Sequence, residues 1–168
     1  LTVPGEENSS LAKKNVYVIN LDRAEKLEKM TYSSLFSKAG IIVLEDTDES
    51  LLGKVDKLEV CDNNLYVLEK GRGLFLVNKQ GKFIKMIGRQ GKGPGEYIDP
   101  DDISIDRENK KIYVLDSQTQ NVLKYSGNGT FESSFKLENK GTRSTFIQPF
   151  KNALYTNLYT FDKSGKRF

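Results

Sequence analysis

LYVLE, residues 65–69, decides the fold, because IYVLD repeats it at residues 112–116. A weaker copy, ALYTN, begins at Ala153. Runs of four to eight residues that are rich in leucine, β-branched and aromatic residues are typical of β-strands. Three copies of one such strand indicate a repeated structural unit.

The chain around these copies predicts further strands on both sides of each one. In the first part of the chain these are residues 16–21, 41–45, 55–61, 65–69, 74–78 and 83–87. In the second part they are residues 103–106, 111–116, 122–125 and 131–137. Only residues 24–30 have a helix-like composition, and they would form about two helical turns.

A glycine turn follows each copy, and a phenylalanine begins the strand after it. Gly81, Gly129 and Gly165 lie where a short hairpin connection needs a positive φ angle. Each unit therefore predicts four antiparallel strands, and units of this kind that repeat every ~40–50 residues are typical of β-propeller blades. A β-sandwich would fit the strand lengths but not the repeated order.

We therefore predict an all-β fold of propeller-type four-stranded antiparallel blades, in an incomplete ring of about 2.5–3 blades with an N-terminal strand segment. The boundaries are residues 1–54 for the segment with entry and closing strands, 55–100 for the first blade with its GPGEY crossover, 101–144 for the second blade and 145–168 for a truncated third blade. We expect all of them to form one domain.

Composition excludes several classes of function. The 168 residues are 37% hydrophobic and 29% charged, which is typical of a globular protein, and the net charge of +3 is spread along the chain, so nucleic acid is not an expected partner. No histidine is present, which excludes Ser-His-Asp and Cys-His catalysis and His-ligated metals within the chain. Cys61 is the only cysteine, and we expect it to be a small apolar strand residue. No apolar run approaches the ~20 residues of a membrane span.

GRQGKGPGEY, residues 88–97, could hold a phosphate or form a turn between strands. A P-loop needs Ser or Thr after Gly-Lys, but Gly93 follows Lys92. A dinucleotide fingerprint needs a helix after its glycines, but a proline and a predicted strand follow here. The stretch is therefore predicted to cross from the outer strand of one blade to the inner strand of the next. Its candidate ligand-binding residues are Arg89, Lys92, Glu96 and Tyr97.

Other polar and aromatic groups have weaker functional interpretations. Asp99, Asp101 and Asp102 offer oxygen ligands to calcium, although their spacing does not match a calcium-binding loop, so no metal site is predicted. Paired carboxylates could also hydrolyse glycosides, a reaction that depends on a distance the sequence does not supply. The tyrosines at one repeat position are expected to pack between blades; they are Tyr66, Tyr113 and Tyr155.

NKQGKF, IGRQGKGPGEY and IYVLD with its second glycine turn resemble a six-bladed, NHL-like β-propeller family of exported proteins, often lipoproteins, from Gram-negative gut anaerobes. Residues 35–60 are similar to the family's entry segment, whose extended strand closes the ring against the final blade. The resemblance covers residues 35–137 well. It implies the fold and a periplasmic or cell-surface location, with a lipid anchor on some precursors. Six blades need at least ~240 residues, so the chain would hold about half a ring.

The sequence thus favours a non-enzymatic, exported propeller module that binds a protein or a glycan through its blade loops and needs no cofactor. The alternative is a propeller-type hydrolase or lyase that uses Asp or Glu, with or without calcium, and fold analogy alone supports it. An incomplete ring leaves strand edges uncovered. A homodimer in which two half rings complete one another is therefore a further expectation.

Overall fold

The computed structural model describes residues 29–138, 142–151 and 153–160. The chain divides into two units, Leu1–Gly40 and Ile41–Phe168. In the described part of the first unit, α1 is a single short helix, Tyr32–Leu35. Of the predicted helix at residues 24–30, only Lys29 and Met30 are described and neither is helical. The predicted strand at residues 16–21 lies outside the described residues.

The first four strands of the second unit form one antiparallel sheet in the order β1-β2-β3-β4. Their bounds are Lys57–Cys61 for β1, Asn64–Glu69 for β2, Gly73–Asn78 for β3 and Phe83–Ile87 for β4. Each pair is a hairpin, and Gly81 turns into β4 with a φ of 86°, as predicted. The sequence therefore located all four strands of this sheet to within two residues at either end.

The next four strands repeat this arrangement in the order β5-β6-β7-β8. Their bounds are Pro100–Asp106 for β5, Lys111–Asp116 for β6, Asn121–Ser126 for β7 and Phe131–Lys136 for β8. Gly129 turns into β8 with a φ of 80°, whereas Gly165 lies outside the described residues. The all-β prediction of four-stranded antiparallel sheets is confirmed.

The third copy of the repeat differs from the first two in the residues that the structure describes. Here β9 is Thr142–Arg143, β10 is Ile147–Phe150, β11 is Ala153–Thr156 and β12 is Tyr159–Thr160. β10 pairs with β11, but β12 pairs with β9, so this part forms two two-stranded sheets. The strand after the third copy therefore does not continue the expected meander.

The two four-stranded sheets face each other across a shared core. Tyr66, Leu74 and Ile87 come from the first sheet, and Ile112 and Tyr125 come from the second. Side chains alternate between the faces of a strand, so each sheet also has a second apolar face. On the first sheet that face includes Phe75 and Val77 packed with Leu44 and Leu52. On the second sheet it includes Leu115 and Val122 packed with Ile147 and Leu154 of the β10–β11 hairpin.

The prediction of a strand at residues 41–45 was wrong. The segment crosses the first sheet without forming a ladder, and the backbone N–H of Glu45 donates to the carbonyl of Gly81 at 2.7 Å. Ile41 is 93% exposed, and Leu44 packs on the sheet. One backbone hydrogen bond and the packing of Leu44 fix this segment, whereas the sequence pattern had suggested strand pairing.

Candidate functional site

The glycine-rich stretch joins β4, at one edge of the first sheet, to β5, at an edge of the second. Gly88 and Gly95 have φ angles of 68° and 74°, which side chains rarely adopt. The N–H of Gly91 donates to the carbonyl of Tyr97 at 2.9 Å, and the N–H of Tyr97 donates to the carbonyl of Arg89 at 3.1 Å. The stretch is therefore a connection between the two sheets that closes on itself; residues 88–97 are called the glycine loop below.

The carboxylate of Glu96 occupies the inside of the glycine loop. Its Oε2 accepts from the N–H of Gly93 at 2.8 Å, and its Oε1 accepts from Nε of Arg89 at 2.6 Å. A Cβ on Gly91 would overlap Glu96 Oε2, so a side chain there would displace the Glu96 carboxylate. The Gly93 N–H and Arg89 hold the pKa of Glu96 below its usual range. The loop does bind an anion, and that anion is its own side chain.

Tyr97 anchors the glycine loop to the shared core. It is 1% exposed, its hydroxyl accepts from the N–H of Leu74 at 3.1 Å, and it donates to the carbonyl of Ile87 at 2.9 Å. Burial raises the pKa of this hydroxyl. Because both sides of the hydroxyl are occupied and the ring is buried, Tyr97 holds the loop in place and offers no exposed surface to a ligand.

The second sheet holds the other side of the loop. The hydroxyl of Tyr125 donates to the carbonyl of Gly95 at 3.0 Å, and burial raises the pKa of this hydroxyl. The ring of Phe131 lies against Gly95, where an added Cβ would come within 2.8 Å of the ring. The loop is thus fixed by its own Tyr97 against the first sheet and by Tyr125 and Phe131 of the second.

Asp116, at the end of β6, fastens the residues that lead into the second sheet. Its carboxylate accepts four backbone N–H groups, from Ile98 at 2.8 Å, Gln118 at 3.1 Å, Thr119 at 3.2 Å and Asp99 at 3.4 Å. Sequence reasoning did not identify this role. The available signal was the acidic residue that ends both LYVLE and IYVLD.

Equivalent acceptors occur in the other two copies of the repeat. Glu69 ends β2 and accepts from the N–H of Gly53 at 3.3 Å, in the segment before the first sheet. Asn157 follows β11, and its Oδ1 accepts from the N–H groups of Thr145 at 3.0 Å and Phe146 at 2.9 Å, in the segment before β10. In each copy, therefore, a side chain after the second strand binds the segment that precedes the first.

A groove with a volume of about 770 Å³ lies between the glycine loop and the second sheet. Its size is that of an ordinary ligand pocket, since these range over roughly 300–1,000 Å³. Lys92, Pro94 and Glu96 form one side. Most of the remaining lining comes from β7, β8 and the turn before β7, and Ile98 and Asp116 complete it; the residues of the former are Thr119, Asn121, Leu123, Phe131, Ser133 and Ser134.

The structure places the four predicted ligand-binding residues in different settings. Lys92 and Glu96 line the groove, and Arg89 is exposed and paired with Glu96. Tyr97 lies in the core. A ligand-binding role for Arg89, Lys92 and Glu96 stays a prediction.

The candidate calcium ligands take part in contacts that join neighbouring elements. Asp102 pairs with Lys57 at 2.7 Å and accepts from the N–H of Ile147 at 2.8 Å, and Asp101 pairs with Lys70. The described residues contain no group of three or more Asp, Glu or Cys side chains that could hold a metal ion. These ion pairs connect the first sheet to β5.

The repeat tyrosines differ in burial. Tyr66 is 3% exposed and donates to the carbonyl of Gly127 at 2.9 Å, and Tyr113 packs against the core beside the β10–β11 hairpin. The packing prediction is confirmed for these two. It was wrong for Tyr155, which is 56% exposed. Cys61 is buried at the end of β1, as expected.

The repeated sheets and the loop between them place the chain among all-β proteins built from four-stranded antiparallel units. It belongs to the family described as "Domain of unknown function (DUF4934)", whose model matches residues 16–166. No curated protein matches the chain.

A solved structure supports the same fold. It is a crystal structure of a protein from Bacteroides fragilis NCTC 9343, and the name of that protein describes it as exported. The two share 22% sequence identity with a TM-score of 0.63, over 75% of this chain and 39% of the other. The chain thus spans about two fifths of the length of that neighbour. Among the described residues, no helix is long and apolar enough to cross a membrane.

Proposed function

We propose that the chain is an exported, non-enzymatic β-propeller module that binds a protein or a glycan in the groove beside the glycine loop. The observation that carries this proposal is the fixed position of the loop. Tyr97 bonds the loop to the first sheet, Tyr125 bonds the Gly95 carbonyl to the second sheet, and Asp116 holds Ile98, the residue after the loop. A groove whose wall is already ordered binds without the entropic cost of ordering it.

The propeller arrangement is supported by how the sheets follow one another. Each four-stranded sheet has the meander order of a blade, and Tyr66 and Tyr113 each pack toward the next element along the chain. A ring built from such units places one face of every sheet against its neighbour. We propose a six-bladed, NHL-like ring of which this chain supplies about half. Its division at residues 54, 100 and 144 into segment and blades is part of the proposal.

Export is supported by the structural neighbour from Bacteroides fragilis, whose name describes it as an exported protein. We propose a periplasmic or cell-surface location for this chain, with a lipid anchor on the precursor as one means of attachment. Fractionation of cells that produce the full-length protein, followed by immunoblotting, tests this. Recovery in the cytosolic fraction would contradict it.

Binding without turnover is supported by the two carboxylates that line the groove. Both oxygens of Glu96 and both of Asp116 accept hydrogen bonds from within the protein. A general acid or nucleophile needs an oxygen directed at the substrate.

The test is a panel of soluble polysaccharides and envelope proteins, with retention measured by affinity electrophoresis and released reducing sugar measured in the same samples. Retention without release is expected. Release that Glu96→Gln abolishes would establish the hydrolase or lyase alternative. A melting temperature that rises with calcium and falls with EDTA would support the calcium form of that alternative.

Assembly through the β10–β11 hairpin is a separate part of the proposal. Phe150 is 59% exposed and meets Tyr155 edge-on at 6.2 Å, on the side of the hairpin opposite Leu154. Exposed aromatic faces of this kind are typical of interaction surfaces. We propose that a second copy covers this face in a homodimer. Light scattering over a wide range of concentration should show a dimer that Tyr155→Lys weakens, and a monomer throughout would exclude it.

A further inference from the structure

We infer that the groove binds a saccharide that carries an acidic group, a carboxylate or a sulfate. This inference rests on the proposed binding function and names the chemistry of its ligand. Three properties of the lining carry it: unpaired polar groups, an apolar floor and one uncompensated positive charge.

The polar groups of the groove are small and neutral. The Oγ1 of Thr119 is buried and has no hydrogen-bond partner, and it is the only such side-chain atom among the residues described. A buried hydroxyl without a partner is destabilising, because it has lost its hydrogen bonds to water and gained none in return. Asn121 and Ser134 also line the groove, and their side chains have no hydrogen-bond partner within the described part of the chain. Hydroxyl and amide groups both donate and accept, as the hydroxyls of a sugar do.

The floor of the groove is formed by apolar side chains. Leu123 lies under it, and the ring of Phe131 is fixed between Gly95 and Tyr125. Pro94 adds a third apolar surface from the loop side. Ligand sites typically combine such surfaces with a few polar groups that fix orientation. The C–H face of a sugar ring matches the floor, and its hydroxyls match Thr119, Asn121 and Ser134.

The charge of the groove favours an anion. Arg89 and the Gly93 N–H compensate Glu96, and four backbone N–H groups compensate Asp116. Lys92 lines the groove, and within the described residues it forms no ion pair. It is therefore the cation left to meet a charge on the ligand. A lysine is a mobile point charge, which suits a carboxylate or a sulfate equally.

The experiment is calorimetric titration of the whole chain with three saccharides of similar length: trigalacturonate, a sulfated chondroitin oligosaccharide and neutral cellotriose. The expected result is binding of one or both acidic saccharides at least 10-fold more tightly than cellotriose. Added NaCl should reduce the difference because salt screens exposed charges.

Two variants locate the binding in the groove. Lys92→Gln should weaken the acidic ligand by about 10-fold and leave cellotriose unchanged, since hydrogen bonds to charged groups contribute roughly 1.5–3 kcal/mol. Thr119→Val keeps the shape and removes the buried hydroxyl. It should lower affinity about 5-fold or more while the melting temperature stays equal or rises. Lys82→Gln, at an exposed lysine in the turn before β4 of the first sheet, is the matched control and should change neither quantity.

Each of the other outcomes tests a different part of the inference. Equal binding of cellotriose and the acidic saccharides, unchanged by Lys92→Gln, would overturn the acidic ligand and leave a saccharide-binding function standing. Tight binding of an acidic saccharide that neither Thr119→Val nor Lys92→Gln alters would overturn the groove as its site. No binding of any of the three would overturn the inference, and the panel of polysaccharides and proteins described above then decides the proposed function separately.

Discussion

The first two copies of the repeat and the third copy differ in what surrounds them. Tyr66 is enclosed between two four-stranded sheets, whereas Tyr155, at the same repeat position, is more than half exposed. Asp116 accepts four backbone N–H groups, whereas Asn157 accepts two. Related copies of one short sequence therefore form an interior strand or a partly exposed hairpin strand, depending on whether a neighbouring sheet covers them.

The largest expected difference lies between the two tyrosines. Tyr66→Ala should lower the free energy of unfolding by about 3–5 kcal/mol, because it removes a buried aromatic ring and leaves a cavity between the sheets. At protein concentrations where the chain is a monomer, Tyr155→Ala should change it by no more than about 0.5 kcal/mol, because the ring is then exposed. Urea unfolding followed by circular dichroism measures both. Equal losses for the two variants at those concentrations would contradict the exposure of Tyr155 in the single chain.

A smaller difference is expected between the two acceptors. Asp116→Asn keeps the shape of the side chain but sets an amide N–H₂ against backbone donors, so stability should fall by about 1.5–3 kcal/mol. Asn157→Asp keeps the acceptor for Thr145 and Phe146, and should change stability by no more than about 0.5 kcal/mol.

Hydrogen exchange gives the local readout for this pair. Amide protection at Ile98 and Asp99 should drop in Asp116→Asn and stay unchanged in Asn157→Asp. If protection at Ile98 survives the loss of the Asp116 carboxylate, the entry into the second sheet is fixed by packing alone.

The smallest expected effect concerns pH and the glycine loop. The folded-state pKa of Glu96 lies below its ordinary value of 4.5. Its contribution to stability is therefore fully present above that value and is lost as the pH falls through the lower, folded-state pKa. Glu96→Gln should flatten the decline of the urea midpoint between pH 5 and pH 3.

The matched control for this variant is Glu108→Gln, an exposed acid in the turn between β5 and β6. It should reproduce the decline of the unmodified protein. A Glu96→Gln profile that runs parallel to the control would mean that the carboxylate adds nothing to folding.

The sequence predicted most of the features that depend on the alternation of apolar residues and on turn chemistry. The strands of both sheets follow from apolar periodicity, and the turns at Gly81 and Gly129 follow from the need for a positive φ angle. Residues 41–45 were wrongly predicted as a strand, because a run of apolar residues does not show that only Leu44 packs on the sheet. The sequence also placed Tyr97 among the ligand-binding residues. Its burial could not be predicted, because its two hydrogen bonds, to Leu74 and Ile87, depend on tertiary contacts. The groove depends on Thr119 and Ser134, which no local pattern brings together.

The hydrogen-bond acceptors Glu69 and Asp116 have a consequence for how such a chain could lengthen by gene duplication. Tyr97 is hydrogen-bonded to the first sheet, and the next two residues, Ile98 and Asp99, are hydrogen-bonded to the second. The boundary between one sheet with its entry segment and the next thus falls near the 97–98 peptide bond. A tandem duplication with that endpoint would copy a sheet together with the side chain that secures its own entrance. Proteins of this type can then evolve in whole-sheet increments, with no new anchoring residue required at the junction.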